Sequence, residues 1–321
     1  MDVRRAWGMV CGLGIGAGVA VQGRINGALG VRLQDGIAAA TISFGVGFVL
    51  LCVAFAVSGR MRDGMVRVRA AVAGRTLRPW QLLGGLCGAL FVACQGLTVA
   101  AIGVTAFTVA AVAGQLLSGL AVDRLGVGPS GRTPITVPRA VGALVAIGAV
   151  LIAGLGHGRV GGSSALPEAL GSVPTWLLLT LPALAGVGLS WQQAVNGRVG
   201  AVGGPFAAAL VNFGVGVAVL LVLESIVWAV SGPRPAPPTA PWLYLGGVIG
   251  VAFIALAALA VRWIGVLLLA LTSVAGQLGA ALVLDLLTPT DARVSATTVL
   301  GCALTVTAVL IAGFRRADRP D

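Results

Sequence analysis

Ten stretches of mostly apolar residues make up most of this sequence, and each is long enough for a helix to cross the hydrocarbon core of a bilayer. Charged residues account for 10% of the chain, whereas soluble domains have about 25%. This number of charged residues is too small to cover the surface of a soluble domain. The composition therefore predicts an all-α membrane protein with ten transmembrane helices. The predicted spans are residues 7–29, 36–57, 80–102, 105–125, 136–155, 176–198, 206–230, 242–262, 264–287 and 296–314.

A polar motif occurs twice and divides the chain into two halves. Gln22 and Asn26 in the first predicted span recur as Gln192 and Asn196 in the sixth, at an offset of 170 in both cases (192 − 22 and 196 − 26). Residues four apart lie on one face of a helix, so each half places two amides on one face of a span. Further motifs recur in the same order: S-F-G-V-G at 43–47 and N-F-G-V-G at 212–216, V-A-G-Q-L at 112–116 and 274–278, and A-V-L-I-A-G at 149–154 and 308–313.

The repeated motifs indicate a gene duplication. We predict a first five-helix repeat over residues 1–155, an external linker over 156–175 and a second five-helix repeat over 176–321. Because each repeat crosses the membrane an odd number of times, the two repeats are expected to be inverted relative to each other. Such inverted repeats are typical of secondary transporters, whose sites lie near the midplane between the repeats.

The arginines agree with this inversion. Of the 21 basic residues, all arginine, sixteen fall on the side of the N-terminus in this topology, and only Arg32, Arg159, Arg234 and Arg293 fall in outer loops. Basic residues concentrate on the cytoplasmic side, so both termini are expected in the cytoplasm of a bacterial cell. The main cytoplasmic loop is predicted from Gly59 to Arg78. A signal peptide is not expected, because the same element recurs as an ordinary span in mid-chain.

These motifs resemble those of the YdcZ-like inner-membrane exporters of the drug/metabolite transporter superfamily. The resemblance rests on the Q-x-x-x-N-G first span, the S/N-F-G-V-G second span and the V-A-G-Q-L fourth span, and it covers nearly the whole chain in a fused two-half form. It implies a ten-helix, exporter-like fold with a central cavity.

Uncharged polar side chains are the candidate substrate-binding groups. An amide offers both a donor and an acceptor, and it cannot face lipid without losing its hydrogen bonds. These groups therefore either line a cavity or join helices by hydrogen bonds, and the sequence leaves both roles open. The candidates are Gln22, Asn26, Ser43, Gln115, Trp191, Gln192, Asn196, Asn212 and Gln277.

Three acidic residues are candidates for gating or ion coupling. Asp123 and its repeat partner Asp285 are predicted near opposite membrane faces, either as residues in contact with water or as a pair of gates. Glu224 lies within the seventh span and has an apolar repeat partner, Phe55, so it is a candidate proton site. Arg24 is the only arginine well inside a span, and it could bind an anionic group of a substrate, pair with an acid or extend toward the outer face; the sequence favours the last of these.

The sequence favours a secondary-active exporter of a small molecule, with the lipid bilayer as its surroundings and no cofactor or metal. It contains no Walker loop, no metalloprotease motif and no catalytic triad pattern, so an enzyme is not expected. No basic stretch has the interleaved aromatics of a nucleic-acid site. A non-transporting membrane assembly protein, with the polar pairs as packing contacts, is the alternative. Whether the chain forms a homodimer stays open.

Overall fold

The computed structural model describes residues 3–129, 131–132, 134–155, 175–231, 235–287 and 295–313, and within these ranges the ordered elements are all helical. The main helices are α1 Val3–Leu33, α2 Gly36–Val57, α3 Gly59–Ala73, α4 Gly84–Leu125, α5 Val137–Leu155, α6 Thr180–Gly203, α7 Pro205–Ser231, α8 Leu245–Leu287 and α9 Ala296–Gly313. Short 3-10 turns, Pro79–Leu82 and Pro241–Tyr244, precede α4 and α8. The predicted all-helical class is confirmed.

The helices have the length and composition of membrane spans. In the described part of the chain, five helical stretches are long and apolar enough to cross a bilayer. They are Ala6–Leu33, Gly36–Val57, Pro79–Leu125, Pro205–Ala229 and Leu269–Leu287. Three shorter helical stretches are also apolar: Val137–Ile152, Pro241–Phe253 and Ala296–Ile311.

Helix α4 folds back on itself at Gly103. Its 42 residues would extend about 63 Å if straight, roughly twice the thickness of the hydrocarbon core. Gly103 has φ 81° and ψ 160°, a backbone conformation open essentially only to glycine. The rings of Phe91 and Phe107 lie 5.3 Å apart, although sixteen residues of straight helix would separate them by about 24 Å. The predicted third and fourth spans are therefore the two limbs of α4, residues 84–102 and 104–125.

Helix α8 contacts α1 at two places that are far apart in its sequence. Gly18 of α1 lies against Ile249 and Phe253 near the start of α8, and Gly12 lies against Leu269 and Thr272, more than halfway along it. A straight helix would place Ile249 and Thr272 about 35 Å apart, whereas Gly12 and Gly18 are about 9 Å apart. The chain over Leu245–Leu287 therefore also folds back, and it contains the predicted eighth and ninth spans.

The two halves pack against each other through reciprocal contacts. Helix α1 packs along α8, and α6, the repeat partner of α1, packs along α4. Glycines make these contacts close: Gly16 of α1 lies against Ser273 of α8, and Gly186 of α6 lies against Ala111 of α4. Gly16 and Gly186 are repeat partners at an offset of 170 (186 − 16). Helices α2 and α7 also contact each other, as do α5 and α9. Small residues permit such close helix packing in lipid, where no hydrophobic effect drives helices together.

Polar groups at the helix ends stabilise the connections on the predicted cytoplasmic side. The predicted loop from Gly59 to Arg78 contains a helix, α3. Ser58 caps its first turn, and one face of the helix, with Met61, Gly64 and Val68, is buried. Arg62 donates to the carbonyl of Phe55 at the end of α2. The guanidinium group of Arg67 likewise donates to the carbonyl of Val202 at the end of α6, 3.1 Å away. Cations favour the negative end of the helix dipole, so these arginines hold α3 against both helix ends. The predicted external linker lies almost entirely outside the described residues, since 156–174 are not among them.

The fold-back at Gly103 makes a prediction about stability. Alanine at this position must adopt the same positive φ, and its Cβ would lie 3.0 Å from a carboxylate oxygen of Asp285. We expect Gly103→Ala to lower the free energy of unfolding by about 1–3 kcal/mol, measured by denaturation in mixed detergent micelles. Gly279→Ala is the matched control, because Gly279 is helical and has no described neighbour within 4 Å of an added Cβ. It should be neutral or raise stability by up to about 1 kcal/mol. Equal effects of the two substitutions would contradict a strained turn at Gly103.

Candidate functional site

Two clusters of uncharged polar side chains lie where the halves meet. In the cluster of the first half, Gln22 Nε2 donates to the carbonyl of Gly246, 2.9 Å away on α8. Asn26 Nδ2 donates to Gln95 Oε1 on α4 at 2.8 Å. Ser43 of α2 faces the same glycine, Gly246. Gln22, Asn26, Ser43 and Gln95 are all buried, so the first cluster (Gln22, Asn26, Ser43, Gln95) is enclosed between helices of both halves.

The cluster of the second half uses the repeat-equivalent positions with different bonds. Gln192 Nε2 and Asn196 Nδ2 of α6 both donate to Asn212 Oδ1 of α7, at 3.1 Å and 2.9 Å. Asn196 lies against Gly84 of α4, as Asn26 lies against Gly246. This second cluster (Gln192, Asn196, Asn212) is half-buried at α6 and buried at Asn212.

The two clusters differ in which residue accepts the amide bonds. Asn212 Oδ1 accepts from both amides of its cluster, whereas Ser43, its repeat partner, has no hydrogen-bond partner among the described residues. In the first cluster Gln95 supplies the missing acceptor from α4, and its own repeat position carries an alanine, Ala257. The sequence analysis did not identify Gln95, because it has no amide partner in the other half. A lone glutamine inside an apolar span was the signal that could have found it.

Several buried polar atoms in these clusters have unused hydrogen-bonding capacity. Asn26 Oδ1, Ser43 Oγ and Gln192 Oε1 have no hydrogen-bond partner among the described residues. An unpaired buried polar atom costs roughly 1–3 kcal/mol. The two clusters therefore keep acceptors, and one hydroxyl, that a bound solute or water could engage.

Glycines of the opposite half make room for the amides. A Cβ added to Gly88 would lie 2.9 Å from Gln192 Nε2, and one added to Gly250 would lie 3.0 Å from Gln22 Nε2. Gly88 and Gly250 are repeat partners at an offset of 162 (250 − 88). These glycines account for the repeated G-G-x-x-G pattern at the starts of α4 and α8, because any side chain there would displace an amide.

Two phenylalanines lie between the clusters. The rings of Phe44 and Phe213 have centroids 4.9 Å apart and an interplanar angle of 35°. Phe44 also approaches Gly88 beside Gln192, and Phe213 approaches Gly250 beside Gln22. A continuous row of side chains therefore runs from one cluster through the ring pair to the other. We call this row, together with both clusters, the seam.

The remaining predicted substrate-binding residues are not joined to the clusters by hydrogen bonds. Gln115 accepts a bond from Ser190 Oγ through its backbone carbonyl, 2.8 Å away, and its side chain is half-buried. Gln277 is also half-buried, and its backbone lies against Gly16. Trp191 stacks on Trp80, with ring centroids 6.1 Å apart.

Asp285 is buried rather than exposed to water, with 5% of its surface accessible. Its carboxylate accepts bonds from the backbone N–H groups of Val104 and Thr105, at 3.0 Å and 2.7 Å. These are the first residues after the fold-back at Gly103, so a carboxylate of the second half caps the second limb of α4 in the first half. A negative charge is favourable at a helix N-terminus and satisfies its free N–H groups.

The other charged candidates have different surroundings. Asp123, the repeat partner of Asp285, forms an ion pair with Arg139 and is partly exposed. Glu224 borders a shallow surface depression formed with Leu221, Ser225 and Trp228 of α7. Arg24 is half-buried, and no hydrogen bond or ion pair joins it to another described residue. The described residues contain no group of three or more potential metal ligands.

Helices that fold back within two reciprocal halves, with uncharged amides enclosed between them, define a polytopic all-helical membrane protein. The family model described as "Putative inner membrane exporter, YdcZ" matches residues 7–152 and 177–311. The chain belongs to this family, and it carries the family pattern once in each half. It is thus a membrane transporter of the inner membrane, in a family of transporters rather than enzymes.

A solved structure supports the fold alone. A protein described only as "Crystal structure of protein" is similar over 96% of this chain and 96% of its own, with a TM-score of 0.55 and 18% sequence identity. No curated protein matches the sequence.

Because the clusters are bonded differently, alanine substitutions at the repeat partners Asn212 and Ser43 should change the free energy of unfolding by different amounts. Asn212→Ala removes the acceptor of two amides, so we expect the free energy of unfolding in detergent to fall by about 1–3 kcal/mol. Ser43→Ala, the control at the partner position, removes a buried hydroxyl without a described partner, so stability should stay unchanged or rise by about 1 kcal/mol. A larger loss for Ser43→Ala would show that the bonding pattern of the clusters is wrong.

Proposed function

We propose that the protein is a secondary-active exporter of a small solute that works by alternating access between two inverted repeats. The observation that carries this proposal is the reciprocal packing of α1 on α8 and of α6 on α4, with equivalent amides at both contacts. Reciprocal contacts are those of a two-fold axis. Because each repeat has five spans, such an axis lies in the membrane plane, and the halves can exchange roles.

If the two halves exchange roles, the protein has an inward-open and an outward-open state, the two states that transport requires. In the predicted topology, Gln22 and Asn26 lie toward the outer end of their span, and Gln192 and Asn196 lie toward the cytoplasmic end of theirs. Rocking of the halves would open the seam from one side while the other cluster stays closed. A solute entering between the halves would replace the amide contacts to Gly246 or Gly84.

The amides are suited to this role because they can bind a polar solute without a buried charge. The competing interpretation is that they only join helices, where a hydrogen bond is worth about 0.6 kcal/mol on average. Three unpaired polar atoms favour a binding role, since atoms used only for packing would be expected to pair with one another. Gln115, Gln277 and Trp191 are proposed as further wall residues of the opened cavity.

The acidic residues are proposed to act in gating and coupling. Asp285, in the second half, caps the second limb of α4 in the first half. When the halves move, these hydrogen bonds must either break or move together with both helices. Asp123 is held by Arg139 at the predicted cytoplasmic side. Glu224 is proposed as a coupling site for protons, because its position within a span is costly for a charge.

The inverted topology predicts that both ends of the chain lie in the cytoplasm. A green fluorescent protein fused to either end should fluoresce, and alkaline phosphatase fused at either end should be inactive. As the control, alkaline phosphatase inserted in the segment 156–175 should be active, because this linker is predicted outside. Ends on opposite sides of the membrane would contradict an inverted pair of five-span repeats.

Transport by the seam predicts strong effects of single amide substitutions. Proteoliposomes loaded with a metabolite extract should release a subset of compounds, identified by mass spectrometry. Gln22→Ala and Gln192→Ala should each slow this release about tenfold, the effect of one lost hydrogen bond in a transition state.

Gln81→Ala is the matched control for these variants. Gln81 is as buried as Gln22, at 6% exposure, but its amide accepts from the backbone of Arg78 outside the seam. It should lower stability without changing release. If Gln22→Ala and Gln192→Ala destabilise the protein and leave release intact, the amides only pack helices and the site assignment is wrong.

A further inference from the structure

The centre of the seam is occupied by two equivalent aromatic rings. Phe44 and Phe213 are repeat partners at an offset of 169 (213 − 44), and each is 5% exposed. Equivalent residues of two reciprocal halves can touch each other only close to the axis that relates them. Their ring contact, with centroids 4.9 Å apart, therefore marks the point where the two halves are closest to symmetric.

Each ring borders the amide cluster of the other half. A Cβ added to Gly88 would lie 3.2 Å from both Phe44 Cζ and Gln192 Oε1, so the ring and the amide share one glycine surface. At Gly250 the same surface is shared by Phe213 and Gln22. A solute that moved from one cluster to the other would have to separate the two rings and contact both of their faces or edges.

The groups around this position are polar but uncharged. The described polar side chains of the seam are amides and one hydroxyl, and none of them carries a charge. The carboxylate of Asp285 is used by the N–H groups of Val104 and Thr105, and Arg24 lies half-exposed between Gln22 and Asn26, on another face of α1. A charged solute would therefore meet no opposite charge at the ring pair, and its desolvation would be costly.

We propose that the Phe44–Phe213 pair selects the substrate, which is an uncharged solute with a flat aromatic part and hydrogen-bonding groups at its edge. The flat part replaces the ring–ring contact, because aromatic surfaces pack well in offset or edge-to-face arrangements. Its polar edge binds Gln22 and the free Asn26 Oδ1 when the seam is open on one side, and Gln192 Oε1 when it is open on the other. This inference rests on the proposed transport function and names the substrate class of that same site.

The test is release from proteoliposomes loaded with a defined panel of four kinds of compound. The panel contains uncharged aromatic solutes (uridine, inosine), an anionic aromatic (orotate), a cationic aromatic (thiamine) and uncharged non-aromatic solutes (mannitol, ribose). Each is measured by mass spectrometry, with protein-free liposomes as the blank. We expect the uncharged aromatic solutes to be released about tenfold faster than the other three kinds of compound. A tenfold ratio corresponds to about 1.4 kcal/mol of free energy.

Leucine variants test the role of the rings without emptying the seam. Phe44→Leu and Phe213→Leu keep an apolar side chain but remove the aromatic face, so they should reduce the preference for uridine over ribose by roughly 3- to 10-fold. Phe91→Leu is the matched control, because Phe91 is equally buried and pairs with Phe107 inside α4 rather than across the seam. It should lower stability and leave the preference unchanged.

The outcomes separate this inference from the proposed function. Fastest release of a charged or non-aromatic compound, or an unchanged preference in both seam leucine variants, would overturn the aromatic substrate class while leaving transport in place. Absence of release for every compound, both from this panel and from the metabolite extract, would contradict transport itself.

Discussion

The structure depends on the cost of exposing polar groups to lipid, which requires each amide inside the bilayer to face protein rather than lipid. Gln22, Asn26, Gln192 and Asn196 lie on spans that must cross lipid, so each amide has to be covered by another helix. The cover comes from the opposite half, where glycines such as Gly246 and Gly84 let the amides reach the backbone or lie flat against it. One of the amide bonds, from Gln22 to Gly246, also joins the two halves, whereas the bonds to Gln95 and Asn212 lie within a half.

The contacts between the two halves differ in kind and in extent. Residues 84–114 of α4 are mostly buried, and the fold-back is fixed by Gly103 and by the carboxylate of Asp285. Along the seam, the halves are joined by one amide bond, from Gln22 to Gly246, and by the ring contact of Phe44 and Phe213. The most extensive packing, of α1 on α8 and of α6 on α4, also crosses between the halves. The proposed opening of the seam would therefore have to rearrange this packing as well.

The two halves differ in how their polar clusters are bonded. Asn212 accepts two bonds, whereas in the first cluster Gln95 of α4 accepts the bond from Asn26 and Ser43 accepts none. Identical halves would give identical energies for the two open states. In the proposed mechanism, unequal clusters would give the two open states unequal energies.

The sequence by itself determined the helical class, the positions of most spans and the repeat, because apolar length and repeated motifs are properties of the chain alone. It also identified the amides of α1 and α6, since a polar group in an apolar span stands out without any structure. Only the tertiary structure decided that Gln95 completes the first cluster, that Asp285 caps a helix of the other half and that Phe44 touches Phe213. These contacts join residues 69, 181 and 169 positions apart, and no local pattern specifies which distant helix face a side chain will meet.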